Sequence, residues 1–134
     1  DFSMTKKPFH GIGIYTHNGK GQYQRAWFYP VYGATKTIAG DFDQDGDQDM
    51  VMIAFFSEPD PQESFLYFEN KGNWQFQVYS VNLPPAKLLV MEAGDVDRDG
   101  DLDLILGNLN NNNQALKEQK EKNIKAVWLI NTLH

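Results

Sequence analysis

The segment DFDQDGDQD, Asp41 to Asp49, returns 54 positions later as DVDRDGDLD, Asp95 to Asp103, with all five aspartates and the glycine in the same places. A fixed period of this kind marks a chain built from repeated supersecondary units, each of which buries its apolar face against the next. In an extended backbone alternate side chains share a face but stand about 6–7 Å apart, so the aspartates at positions 41, 43, 45 and 95, 97, 99 cannot meet at one point unless the chain curls. Gly46 and Gly100 permit that curl, because glycine takes positive φ without steric cost.

Once curled, the loop brings the carboxylates of Asp41, Asp43 and Asp45 onto one point. The carbonyl of Asp47 can be a fourth ligand and Asp49 can close the shell. Hard oxygen donors in this number suit Ca²⁺, which takes about 6–8 of them, whereas Mg²⁺ demands a tighter octahedron and retains several waters. Without an ion, five carboxylates within nine residues repel one another strongly. An EF-hand is excluded, since it needs a bidentate Glu at the twelfth loop position. Here that position is Met52 in one copy and Leu106 in the other. The residues that follow, Met50 to Phe56 and Leu104 to Leu106, are short apolar runs bounded by turn signals and predict buried strands.

AGDFDQDGDQDMVMI and AGDVDRDGDLDLILG resemble the FG-GAP or VCBS repeat, the calcium-loop unit of integrin alpha-subunit propellers and of many bacterial secreted proteins. The resemblance continues through Phe65 to Asn70 and the following Lys71-Gly72-Asn73-Trp74-Gln75-Phe76, similar to the strand, Asn/Gly turn and aromatic strand of that family. The same signature occurs earlier at Ile14 to Tyr23 and in part at Val127 to Asn131, so nearly the whole chain is covered. The resemblance implies metal ligands at Asp41, Asp43, Asp45, Asp47 (main chain) and Asp49. In the second loop it implies Asp95, Asp97, Asp99, Asp101 (main chain) and Asp103, hence two Ca²⁺ sites. The Phe-Gly and Gly-Ala-Pro element that names the family is not recognisable, and the bacterial VCBS-like branch fits better.

A period of 54 lies close to the roughly 40–50 residues of a four-stranded propeller blade. Residues 34–82 predict one complete blade, with strands Thr35 to Ala39, Met50 to Phe56, Phe65 to Glu69 and Trp74 to Val81, and its calcium loop at 41–49. Residues 9–31 predict the last two strands of a preceding blade. Residues 87–131 predict the first three strands of a following one, with its calcium loop at 95–103 and an Asn-rich insertion at 108–123. Within that insertion Gln114 to Lys122 favours helix. The expected fold is one all-β domain over 1–134, with four-stranded antiparallel blades and about two and a half repeats. A closed propeller takes about 4–8 blades. The half-blades are therefore expected to belong to a longer propeller, to a ring completed by other copies of the chain, or to sheets packed face to face.

The formal net charge is −6, and ten of the eighteen acidic residues lie in the two loops. Two Ca²⁺ bring the total to −2, so no basic partner is needed to explain the acidity. An acidic chain without a Lys/Arg stripe is a poor candidate for nucleic-acid binding, and no apolar run approaches the ~18 residues of a membrane span. No charged-then-apolar leader precedes Asp1, so a signal peptide is expected to have been removed or to lie outside this sequence. Cysteine is absent, which excludes disulfides, thiolate catalysis and Cys-based zinc sites. Calcium loops of extracellular modules commonly bind at roughly 10⁻⁴–10⁻³ M, which points to an extracellular, periplasmic or cell-surface location.

The remaining chemistry-bearing residues read as structure. His10, His17 and His134 are scattered. Tyr15, Tyr23, Trp27, Phe28, Tyr29 and Tyr32 suit either a sugar-stacking platform or, as the better reading, packing between blades. Trp74 and Trp128 are expected in the core. Glu58, Asp60 and Glu63 fall in a Pro-containing polar connection, expected to be an exposed loop, and no GxSxG, P-loop or strand-to-helix GxGxxG occurs. The expected function is a calcium-stabilised interaction module of a secreted or surface protein that binds a protein or a glycan. The alternative is a fragment of a secreted carbohydrate-active enzyme, such as a polysaccharide lyase, built on the same propeller.

Overall fold

Turns rich in glycine and aspartate cut the chain into short apolar runs, and each run forms a strand of a three-sheet, all-β molecule. The computed structural model describes residues 10–55, 61–81, 83, 87–109 and 126–132. Its strands are β1 (Gly11–His17), β2 (Tyr23–Pro30), β3 (Ala34–Gly40), β4 (Asp49–Ala54), β5 (Phe65–Asn70), β6 (Phe76–Ser80), β7 (Leu88–Gly94), β8 (Asp103–Asn108) and β9 (Ala126–Leu129). A one-turn 3₁₀ helix, Pro61–Ser64, leads into β5, and no α-helix occurs among the described residues.

The strands form an antiparallel pair β1-β2, a four-stranded antiparallel sheet β3-β4-β5-β6 and a three-stranded antiparallel sheet β7-β8-β9. The strand numbers, two, four and three, and their antiparallel order agree with the expected all-β, partial propeller-like fold. The period of 54 is kept residue by residue: β7 and β8 begin and end 54 positions after β3 and β4. Even the irregularity is copied, for the register shifts between Ala34 and Lys36 in one sheet and between Leu88 and Val90 in the other. A shared bulge bends both sheets at the same place.

Strand β4 shows why the sheets stack. Its Met50-Val51-Met52-Ile53-Ala54 is a continuous apolar run, and alternation sends successive side chains to opposite faces. Val51 and Ile53 enter a cluster with Phe42, Phe65, Leu88, Met91, Leu104 and Leu106, between the middle and third sheets. Met52 and Ala54 join Val31, Leu66 and Phe68 on the other face, where Trp27 and Tyr29 of β2 pack against them. The middle sheet is thus covered on both sides, and each fully buried Ile, Leu, Met or Phe contributes roughly 1.5–3 kcal/mol. Polar contacts add to the seam: the Thr35 hydroxyl donates to the carbonyls of Ile53 (3.2 Å) and Leu88 (3.3 Å).

Several details differ from expectation. Trp74 is not a strand residue but lies in the turn closed by Lys71 N–H to Gln75 O at 2.8 Å. It has φ of 60° and is 48% exposed. Its ring is therefore outside the core, and β6 starts at Phe76. Trp128 is also solvent-facing, at 55% exposure, because Val127 and Leu129 take the inward positions of β9. Asn108 closes β8 instead of opening an insertion. The expected helix at 114–122 lies outside the described residues, as do Glu58, Asp60 and His134.

Candidate metal centre

Each acidic loop joins the first two strands of a blade, β3 to β4 and β7 to β8. The two share most of their backbone geometry. Gly46 has φ of 95° and Gly100 φ of 98°, the left-handed region that an L side chain rarely adopts. Gln44 and Arg98, at the fourth loop position, also have positive φ, 60° and 69°. The glycines were legible in the sequence, whereas nothing about a glutamine or an arginine signals this conformation.

The carboxylates fold back onto the loop's own backbone. Asp41 Oδ2 accepts from Gly46 N–H at 3.1 Å, and Asp95 Oδ2 from Gly100 N–H at 3.2 Å. Asp43 Oδ1 accepts from Asp45 N–H and Asp97 Oδ1 from Asp99 N–H, at 3.2 and 3.3 Å. Asp45 Oδ1 accepts from Asp47 N–H and Asp99 Oδ1 from Asp101 N–H, at 3.0 and 3.2 Å. These bonds tie each carboxylate to its own turn, and Asp95 spends both oxygens there, since its Oδ1 also accepts from Arg98 N–H at 2.7 Å.

In the first loop the structure brings together Asp41, Asp43 and Asp49, with one oxygen of each within 4.8 Å of the others; in the second it brings together Asp95, Asp97 and Asp99. Both are acidic clusters that can hold a metal ion. Asp45 falls outside the first group and Asp103 outside the second, while Asp47 and Asp101 were expected to act through their carbonyls. In the first loop Asp41 Oδ1 and Asp47 Oδ1 are buried and have no hydrogen-bond partner, a costly condition for a carboxylate oxygen unless a cation meets it.

The electrostatics carry the same message. Partial desolvation, followed by the like charges of neighbouring aspartates, raises Asp47 above the ordinary carboxylate range. Asp97 is raised for the same reasons in the same order. Asp43 is also raised, chiefly by desolvation and against the pull of its bond from Asp45 N–H. A bound cation would reverse that penalty.

The ninth position has a second role that the sequence did not reveal. Asp49 is fully buried and accepts from Phe42 N–H (3.2 Å), Asn70 N–H (2.8 Å) and the Tyr67 hydroxyl (2.8 Å). Asp103 accepts from Val96 N–H and Asn131 N–H, both at 2.8 Å. The Asn131 and Val96 bonds, in that order, hold its carboxyl below the usual range despite burial. Each ninth aspartate therefore clamps the start of its loop to the end of the third strand of its sheet, at Asn70, the last residue of β5, and at Asn131, two residues past β9. Tyr67, held by Asp49 and desolvated, has its hydroxyl pushed far above the normal tyrosine value, desolvation being the larger cause.

Among the other expected candidates, Trp27 packs edge-on to Phe68 and near Phe76, and Tyr29 is edge-on to Phe68, so these two belong to the core. Tyr15 and Tyr23 are exposed at 58% and 72%. His17 sits against Tyr23 and His10 stacks on Tyr32. An open, mainly apolar cleft of about 390 Å³ lies between the middle and third sheets, lined by Tyr67, Val81, Leu102, Trp128 and Ile130 among others. No protein-family model, curated protein or solved structure matches the chain, so the two duplicated acidic loops are themselves the ground for a functional reading.

Proposed function

We propose that this chain is a calcium-stabilised, propeller-type repeat module of the FG-GAP/VCBS kind, which holds one Ca²⁺ in each acidic loop and uses the rigid frame to bind a protein or glycan. The observation that carries the reading is the duplication of loop geometry together with the buried, partnerless Asp41 Oδ1. Carboxylates from Asp41, Asp43 and Asp49 in one loop and from Asp95, Asp97 and Asp99 in the other would hold the ions. Asp45 and Asp103 and the main chain of Asp47 and Asp101 would complete the shells. Oxygen-only donors with no His or Cys favour a hard cation over zinc or copper.

The ion's role in this reading is structural. It neutralises each loop and fixes the strands that flank it, adding stability by binding the folded state alone. Sites of this type suit the millimolar calcium of an extracellular, periplasmic or cell-surface setting. The cleft beside the first loop, with Tyr67 and Trp128 in its lining, is the surface best suited to a partner, because aromatic faces with polar edges serve both glycan stacking and protein contact.

Titration calorimetry tests the metal, with two Ca²⁺ per chain expected and Zn²⁺ giving little heat. An absence of calcium binding would refute the reading. A glycan array probed with the calcium-loaded chain tests the partner class. Binding that is lost in Trp128→Ala would assign the cleft to glycans, and a blank array would direct the search to protein partners.

A further inference from the structure

The two acidic loops are linked. Asn131, just past β9, donates its backbone N–H to Asp103 Oδ1 at 2.8 Å and its side-chain Nδ2 to the carbonyl of Phe42 at 2.6 Å. Phe42 stands between Asp41 and Asp43 in the first loop, and its own N–H donates to Asp49 Oδ2 at 3.2 Å. A single hydrogen-bonded path thus joins the ninth aspartate of one loop to the ninth aspartate of the other.

Apolar packing follows the same route. Phe42 is 4% exposed in the cluster between the middle and third sheets, and Leu102 packs against that cluster. Leu102 sits between Asp101 and Asp103, while Gly40 immediately precedes Asp41. A Cβ on Gly40 would stand only 2.8 Å from Leu102 Cδ1, so the second loop lies close against the root of the first, and a larger residue at 40 would make the Leu102 side chain shift.

The matching residue of the middle sheet behaves differently. Asn70 also donates its N–H to an aspartate, Asp49 Oδ1, at 2.8 Å. Its Nδ2, however, donates to Gln48 O at 3.0 Å, and its Oδ1 accepts from Gly72 N–H at 2.9 Å. Asn70 serves its own blade, and Asn131 reaches across to the neighbouring one.

We infer that the two loops bind calcium with positive cooperativity, transmitted through Asn131 and Phe42; this rests on the calcium reading above. An ion in the second loop orders the segment that ends at Asp103 and thereby fixes Asn131. Asn131 then holds the Phe42 carbonyl, and with it the backbone between the ligands Asp41 and Asp43. The next ion meets a loop whose ordering cost has partly been met, and linkage makes the effect reciprocal. Charge acts the other way, because filling one loop lowers the negative potential at the other. That opposing term is screened over about 8 Å at physiological ionic strength, which is where the measurement belongs.

The experiment is calcium calorimetry on the intact chain and on Asp43→Ala, Asp97→Ala and Asn131→Ala. The two aspartate variants are expected to bind one ion each and to report single-site affinities. In the wild type the second step should be tighter than those affinities predict by about fivefold or more. Asn131→Ala should lose that enhancement while its circular dichroism stays β-type and cooperative melting is retained. Amide NMR provides a second readout: calcium added to Asp43→Ala should shift the Phe42 amide, and the shift should vanish in Asp43→Ala/Asn131→Ala. Two wild-type ions bound independently would overturn the coupling and leave the calcium sites standing. Enhancement that persists in Asn131→Ala would overturn the assigned route, and no bound calcium would overturn both readings.

Discussion

Asp49 and Asp43 belong to the same nine-residue loop, yet they do opposite things. Asp49 is buried with three donors on its oxygens, so it supports the fold even without an ion. Asp43 carries a charge that its surroundings disfavour. Asp49→Ala should therefore cost roughly 3 kcal/mol or more in the presence of EDTA, because two N–H groups and a hydroxyl are left without their acceptor. Asp43→Ala should leave metal-free stability unchanged or slightly higher while emptying its site. Urea unfolding with and without calcium separates the two, and equal losses for both variants in EDTA would contradict the division of labour. The pH response of the metal-free chain follows from the same residues. Asp43, Asp47 and Asp97 bind protons more readily in the folded than in the unfolded state, so their contribution to stability grows as pH falls toward the carboxylate range. Asp103 is depressed below 3.8, and its contribution, present above that value, is lost as pH falls through its lower folded-state value. Melting of the metal-free chain should accordingly be highest at mildly acidic pH and fall on both sides.

At the scale of elements, β4 is the strand on which the architecture turns. Met52 and Ile53 are adjacent and both have 0% exposure, which only a sheet covered on two faces allows. Met52→Ala and Ile53→Ala should each cost about 2–5 kcal/mol. A sheet with one wet face would show a large loss for one and a small loss for the other. The apolar run of β4 made its burial legible in the sequence, and the period of 54 placed β7 and β8. The turn at Trp74 was not legible, since an aromatic residue next to an Asn/Gly turn suits a strand start equally well. What decided it was the hydrogen-bond closure of Lys71 onto Gln75, which holds Trp74 outside the ladder and leaves the inward positions to Phe76 and Val78.

For the whole molecule, three sheets hold together through two apolar seams and a few polar crossings, among them the Thr35 bonds and the exposed Lys36–Glu92 pair at 2.5 Å. Exposed pairs of this kind contribute about 0–1 kcal/mol, so the apolar seams dominate. In the proposed reading, calcium would act on top of them. At free calcium a hundredfold above the dissociation constant, each site should add about 2.7 kcal/mol. Chelation is expected to lower the melting temperature by several degrees and added calcium to restore it. An unchanged thermal transition in EDTA would remove the structural role of the ion.

The sequence by itself determined the repeat, the loop's carboxylate pattern, the glycines that curl it and the strands that follow, because each of these is set by local sterics, charge and alternation within a few residues. Only the tertiary structure decided that the ninth aspartate is a clamp, that Trp128 faces solvent, and that Asn131 ties one acidic loop to the other. Those features depend on which backbone N–H or carbonyl arrives from a distant strand: Asn70 lies 21 residues from Asp49, and Asn131 lies 89 residues from Phe42. No local rule encodes such meetings. They follow from strand pairing within a sheet, which brings Asn70 to Asp49, and from the stacking of one sheet on the next, which brings Asn131 to Phe42.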